Sequence, residues 1–346
     1  MQKRYQIAPQ MQAYDRLTLA WRPYTMFSSR PNYSSPEVNT DELGLRPTIF
    51  RGDICRVSQA SDYINSTVLC GGSTAFGIGC TSDAETIASQ LSADLGNCVL
   101  NLGGRAFNST QELILFCEIA NQLENIENVI LFTGVNNLFL SSFSDELNAP
   151  FFQSNDLKEA MDYQALSPKR RLLKTMLAPV FGDLIDYRTV KKTGIFTNFF
   201  RRMPNGRDKD EPKHISIEKA LMNSRKDLYI WKNLSKSMGF RLTYVLQPMA
   251  GWCEKKLTYE ENELFEPIKE GDDSILEQVN SIDAYTAYSD GLQKMLGEMD
   301  VEFVDTNPYF KGCNDWLFVD RVHLTDKGNR LVTKILSKFL NRAEAV

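Results

Sequence analysis

The sequence predicts an α/β domain in which a central parallel sheet is covered by helices on both faces. Three observations point there. Short apolar, β-branched runs alternate with longer stretches whose apolar residues recur at helical spacing. Each of the first three runs stops at a small-residue turn, as a strand does before it hands over to a helix. Such alternation requires crossover connections, and therefore parallel strands buried on both sides.

The elements follow in order. Ser66–Cys70 reads as the first strand and runs into the turn Gly71-Gly72-Ser73-Thr74. The helix Ala84–Leu95 sets Ile87, Leu91 and Leu95 on one face, and Ser82 and Glu85 before it have the spacing of a capping box. Cys98–Leu102 is the second strand, with the turn Gly103-Gly104-Arg105-Ala106 behind it and a helix over Gln111–Gln122 opened by Ser109 and Glu112. Val129–Thr133 is the third, ending in Gly134-Val135-Asn136-Asn137. Later strands, Leu242–Leu246 and Val301–Val304, each follow a helical pattern, Ile217–Met238 and Ile275–Met299, and Thr325–Leu340 closes the chain as a helix.

Two regions break this rhythm. Residues 1–62, rich in Pro, Tyr, Ser and Arg, lack well-formed periodic elements and read as an N-terminal extension packed on the domain of residues 63–346. The second is an insertion over 139–213, with basic clusters at Lys169-Arg170-Arg171, Lys191-Lys192 and Arg201-Arg202. It reads either as a solvated charged face or as a lid or substrate wall.

Composition narrows the function. With 346 residues, 42% hydrophobic and 24% charged, the chain has enough apolar side chains to bury a core, which excludes disordered and low-complexity classes. Against 44 acidic residues stand 39 Lys and Arg, a net charge of -5 that provides no basic field to gather phosphates, so no nucleic-acid partner is expected. No apolar run approaches the roughly 18 residues that span a bilayer, and a soluble, cytoplasmic protein is expected. The 7 cysteines are odd in number, scattered, and never at C-x-x-C spacing, which argues for reduced core thiols and against a disulfide framework or a zinc site. The glycines from Gly71 to Gly79 fit neither a dinucleotide fingerprint nor a phosphate loop, so no cofactor and no metal is expected. Only His214 and His323 are available for acid–base work. His214, in a charged stretch flanked by proline, reads as structural or exposed.

In a parallel sheet, ligands bind at the carboxyl ends of the strands, where the three small-residue turns lie together. A serine on a tight strand-to-helix turn, such as Ser73, exposes its hydroxyl and suits a nucleophile. Asp320 and His323, three residues apart, offer a base and a group to orient it. Asp326 competes for that second role, but its place at a helix start suits capping better. Gly71-x-Ser73-x-Ala75 approximates the nucleophile elbow of α/β-hydrolases, though there the serine follows several strands and here it follows the first.

These residues resemble the SGNH (GDSL-like) hydrolases, over about Ser66–Asn137 and again over about Asp315–Leu336. The resemblance implies a flavodoxin-like three-layer α/β/α fold. It implies that Ser73 in Gly71-Gly72-Ser73-Thr74 is the nucleophile and that Asp320 and His323 are its D-x-x-H partners. Aligning Asn101 to Ser109 on the second block puts a backbone donor of the oxyanion hole at Ala106, and the third block's G-x-N puts a side-chain donor at Asn136; the N–H of Ser73 completes the hole. The family's acidic residue before the serine is Gly72 here, as in a branch reading G-G-S-T, so the turn must be supported from elsewhere. The second-block glycine is Ala106, whose methyl is expected to require a backbone that avoids positive φ. The stretch Val38–Arg46 is similar to a segment of members tied to surface-polysaccharide modification. The implied activity is a serine esterase that removes an O-acyl group, acetyl above all, from a carbohydrate or related small molecule. An O-acyltransferase using the same site and a non-catalytic binding protein on the same fold are the alternatives. For Arg105 and Arg321 two readings stand, a hold on an anionic group of the substrate and an exposed arginine without a role. Asn136 and Asn137 could also be simple turn formers. Phe76, Phe107 and Phe139 read as core, with an acyl-pocket lining as the alternative.

Overall fold

The computed structural model describes residues 2–63, 65–123, 125–143, 151–152, 214–269 and 274–343. Most of the 139–213 insertion, with its basic clusters, lies outside them. The N-terminal segment forms two short helices, α1 (Gln2–Ile7) and α2 (Met11–Arg16), and two antiparallel hairpins, β1 (Leu19–Arg22) with β2 (Met26–Ser29) and β3 (Thr48–Phe50) with β4 (Asp53–Cys55). Sequence periodicity does not register them because none exceeds six residues. The central sheet is β5 (Thr67–Gly71), β6 (Val99–Gly103), β7 (Asn128–Thr133), β8 (Arg241–Leu246) and β9 (Glu302–Asp305). Its five strands are parallel in the order β6-β5-β7-β8-β9, the 2-1-3-4-5 order of a flavodoxin-like sheet.

Alternate residues of each strand feed two separate cores. Val68, Leu100, Val129, Leu131 and Tyr244 belong to one, while Leu69, Val99, Ile130, Phe132 and Val245 belong to the other. This is the period-two alternation of a sheet buried on both faces. Connecting helices cover each side. Over the first core lie α5 (Ser109–Ile119), α7 (Ile217–Met238) and α10 (Ile282–Glu298), which contribute Phe116, Trp231 and Leu292. Over the second lie α4 (Ile87–Leu95), α8 (Tyr259–Lys269) and α11 (Asp326–Ala343), contributing Leu91, Phe265 and Leu336. Met11, Tyr14 and Leu17 of the N-terminal segment also enter this second core. The remaining helices among the described residues are α3 (Ser73–Phe76) after β5, α6 (Val135–Leu140) after β7, and α9 (Ser274–Val279).

Helix boundaries shift where side chains are engaged elsewhere. Asp83 is ion-paired to Arg46, so Ala84 lies in a 3-10 turn and α4 begins at Ile87, capped by Thr86. Ser109 Oγ donates to Asp227, which leaves the capping box of α5 to Asn108 and Gln111. The single helix expected over Ile275–Met299 is two. Ser281 caps α10, and the break brings Asn280 Oδ1 to within 2.9 Å of the Gly251 amide, behind the end of β8.

Candidate active site

Ser73 is the first residue of a one-turn helix set directly on the end of β5. Gly71 makes this possible, since a Cβ there would lie 2.2 Å from the Phe132 carbonyl oxygen on the neighbouring strand. The support that the missing acidic residue would give comes from three other side chains. Asn101 Nδ2 donates to the Ala75 carbonyl, Gln247 Nε2 donates to Thr74 Oγ1, and Arg46 Nη1 donates to the Gly77 carbonyl.

The loop of residues 317–325 is pinned in several places. Phe318 bridges Leu324, Val319 N–H donates to the His323 carbonyl, and the buried Glu261 accepts from the amides of both Leu317 and Phe318. Gly79 lets the loop close on the Ser73 side, because a Cβ there would sit 2.4 Å from the Leu324 carbonyl oxygen. Residues 250 positions apart in sequence thus meet: His323 Nε2 lies 2.7 Å from Ser73 Oγ. On the far side of the ring, His323 Nδ1 lies 2.8 Å from Asp320 Oδ2 and 2.9 Å from Oδ1. Asp320 Oδ1 also accepts from the amides of Val322 and His323. Burial raises the pKa of this carboxyl, but the neighbouring His323 and these hydrogen bonds outweigh it and take the group down to about 2. An ionised carboxylate therefore faces Nδ1, the arrangement that holds a proton on Nδ1 and leaves Nε2 to accept one from Ser73. His323 is 2% exposed and Ser73 8%, so the contact between them is buried.

Asn136 comes up beside the same turn. Its Nδ2 donates to the Phe107 carbonyl at 2.7 Å, and a Cβ on Gly72 would lie 2.8 Å from that nitrogen. The bare Gly72 backbone is what gives the amide its place next to Ser73. Ala106 lies in the turn closed by the hydrogen bond from Phe107 N–H to the Gly104 carbonyl, and its φ is +63°. The expectation that its methyl requires negative φ is overturned; the turn keeps the conformation a glycine would take, at a cost of about 1–2 kcal/mol for a residue with a Cβ.

Other expectations are corrected by burial. Arg105 is 1% exposed and donates through Nη1 to the Leu17 carbonyl, so it fastens the N-terminal segment and is not the exposed arginine of the second reading. Arg321 is 6% exposed and ion-paired with Glu277 at 2.6 Å, so it too is not an exposed arginine without a role. Asp326 accepts from the amide and hydroxyl of Thr81, while Thr325 Oγ1 accepts from Gly328 at the start of α11. Asn137 accepts from Ser109 N–H and donates to Ser224, tying α6 to α5 and α7. Phe76, Phe107 and Phe139 are all buried, and His214 is exposed. Among the described residues, no group of three His, Cys, Asp or Glu is placed to hold a metal, and no helix is long and apolar enough to cross a membrane. Arg46 and Glu261 are the residues that sequence reasoning missed. Arg46 ends the stretch Val38–Arg46 and Glu261 belongs to no motif; for both, only burial reveals what the side chain does.

No family model matches the chain, and no curated protein does. Solved structures similar to it include a carbohydrate acetylesterase from Sinorhizobium meliloti, 11% identical with a TM-score of 0.44, the match covering 81% of this chain and 99% of that one. A GDSL-like lipase from Bacteroides thetaiotaomicron is 10% identical with a TM-score of 0.41, covering 81% and 89%. A member of the lipolytic protein G-D-S-L family from Veillonella parvula is 10% identical with a TM-score of 0.39, covering 78% and 94%.

Proposed function

We propose that the protein is a serine esterase that removes an O-acyl group through an acyl-enzyme. One observation carries the reading: the continuous hydrogen-bonded line from Ser73 Oγ through both nitrogens of His323 to the Asp320 carboxylate. In the reaction His323 Nε2 takes the proton of Ser73 as its oxygen attacks the ester carbonyl carbon. The tetrahedral oxyanion is held by the N–H groups of Ser73 and Ala106 and by the Asn136 amide. Collapse breaks the bond to the alcohol oxygen, which leaves with the proton from His323. Water then attacks the acyl-serine by the same route and releases the carboxylic acid. Asp320 stays ionised throughout and stabilises the imidazolium. Acetyl on a carbohydrate or related small molecule is the substrate class we assign, supported by the resemblance of Val38–Arg46 to members tied to polysaccharide modification.

The test is Ser73→Ala with p-nitrophenyl acetate as surrogate. Turnover is expected to vanish while thermal stability stays within about 1 kcal/mol, because the hydroxyl acts on the transition state and carries little of the fold. Undiminished turnover would exclude the reading.

A further inference from the structure

Resting on the reading of Ser73 as nucleophile, we propose that Arg46 is a positioning residue. Its buried guanidinium fastens the end of the one-turn helix that carries Ser73, so that the N-terminal segment completes the reactive site. The helix is only Ser73–Phe76, and its own bonds are few: Phe76 N–H to the Gly72 carbonyl, Gly77 N–H to those of Ser73 and Thr74, and Ile78 N–H to that of Ser73. A single turn cannot hold itself, since nucleation costs more than one bond returns. Its last carbonyls also have no partner further along the helix.

Arg46 supplies those partners. It is 0% exposed, and its Nη1 lies 2.6 Å from the Gly77 carbonyl oxygen and 3.4 Å from that of Phe76. Nε donates to Asp83 Oδ1 at 2.7 Å and Nη2 to the Glu37 carbonyl at 2.6 Å, which fixes the plane of the fork. The guanidinium also lies over the rings of Tyr14 and Phe76, at 5.6 and 5.8 Å from their centroids. Tyr14 Oη accepts from Nη1 and sits 3.0 Å from the Gly77 carbonyl oxygen and 2.8 Å from that of Cys80. Gln10 Nε2 donates to the Gly79 carbonyl. The whole exit of the serine turn, residues 76–80, is thereby held from residues 10, 14 and 46. Lysine could keep the charge but could not serve acceptors on three sides at once. Misplacement of a reacting group by about 1 Å costs on the order of a hundredfold in rate, so slack here should reach the 2.7 Å contact between Ser73 and His323.

The test uses the full chain with Arg46→Lys and, as a milder change, Tyr14→Phe. For each, kcat and KM for p-nitrophenyl acetate and the second-order rate of fluorophosphonate labelling are measured and corrected for the folded fraction. Amide hydrogen exchange at Gly77 and Ile78 is followed alongside. Arg46→Lys is expected to lower kcat at least about tenfold with KM within about twofold, and to lower the labelling rate in the same ratio; Tyr14→Phe follows in the same direction, by about threefold or more. A role confined to stability would leave the corrected kcat and labelling rate untouched, and wild-type values in both variants would overturn the proposal. If Arg46→Lys does not fold, Tyr14→Phe decides alone. If the wild-type protein neither turns over esters nor reacts with the probe, the esterase reading falls. Positioning is then judged from exchange at Gly77 and Ile78, where acceleration of about tenfold in either variant supports it and unchanged rates refute it.

Discussion

Replacing Asp320 by asparagine separates the charge of the relay from its shape. The carboxylate accepts from two backbone amides and from His323 Nδ1, and it is held down to about 2 against an ordinary value of roughly 3.9. That difference, close to two units, corresponds to about 2.6 kcal/mol in favour of the ionised form. Asparagine can still accept the two amides through its Oδ1. It offers an NH2 group to His323 Nδ1, however, which drives the imidazole proton to Nε2, facing Ser73, where a base is required. Loss of the charge removes the carboxylate that stabilises the imidazolium as it forms. The wrong tautomer takes the loss toward the ~10⁴-fold known for Ser-His-Asp sites. The expected outcome in steady-state assays is therefore a fall in kcat of at least ~10²-fold, with KM little changed and circular dichroism unaltered. A loss below about tenfold in a folded variant would refute the reasoning. The same shift sets the behaviour in acid. The folded pKa lies below the unfolded one, so the carboxylate's contribution to stability is complete above roughly pH 4 and is lost as the pH falls through about 2. Acid unfolding monitored by fluorescence should show this loss in the wild type and its absence in Asp320→Asn.

Other outcomes follow from the same geometry. Asn136→Ala is expected to lower kcat by about 10²-fold, the usual cost of one oxyanion donor, and an unchanged kcat would remove Asn136 from the site. Gly72→Ala sets a methyl 2.8 Å from Asn136 Nδ2 and should reproduce much of that loss without unfolding the protein; a fully active, folded Gly72→Ala would show that the amide is not held where it matters. Burial raises the Glu112 carboxyl to about 8, so its ionisation opposes the fold, and stability should decline by on the order of 1 kcal/mol per unit as the pH rises from about 4.3 to about 8. Urea unfolding of Glu112→Gln at pH 5 and pH 8 should show that decline abolished, whereas parallel curves for variant and wild type would contradict it.

The strands were legible because a buried parallel strand is an uninterrupted apolar run and its end is a glycine turn; all five expected strands lie within two residues of those observed. The meeting of Ser73, His323 and Asp320 could be anticipated for a related reason, since strand ends share one rim and few histidines compete. Helix starts were harder to read. A serine followed three residues later by glutamate resembles a capping box whether or not its side chains are drawn into other contacts, as Glu85 is by Gln90 and Ser109 by Asp227. Arg105 and Arg321 are hard to read for a similar reason. A lone arginine beside a motif looks like a ligand for anions, and only the folded chain shows the Leu17 carbonyl and the Glu277 carboxylate already in contact with them. Ala106 shows the limit of a steric rule, because a left-handed alanine is costly but allowed inside a turn closed by the hydrogen bond from Phe107 N–H to the Gly104 carbonyl.

The central claim is that Ser73 is made nucleophilic by His323, and a fluorophosphonate addresses it most directly. Intact-mass spectrometry of the folded protein should show a single adduct, and peptide mapping should place it on Ser73. The adduct should be absent from Ser73→Ala and strongly reduced in His323→Ala. A native protein that stays unmodified, or one that carries the adduct elsewhere, would contradict the account.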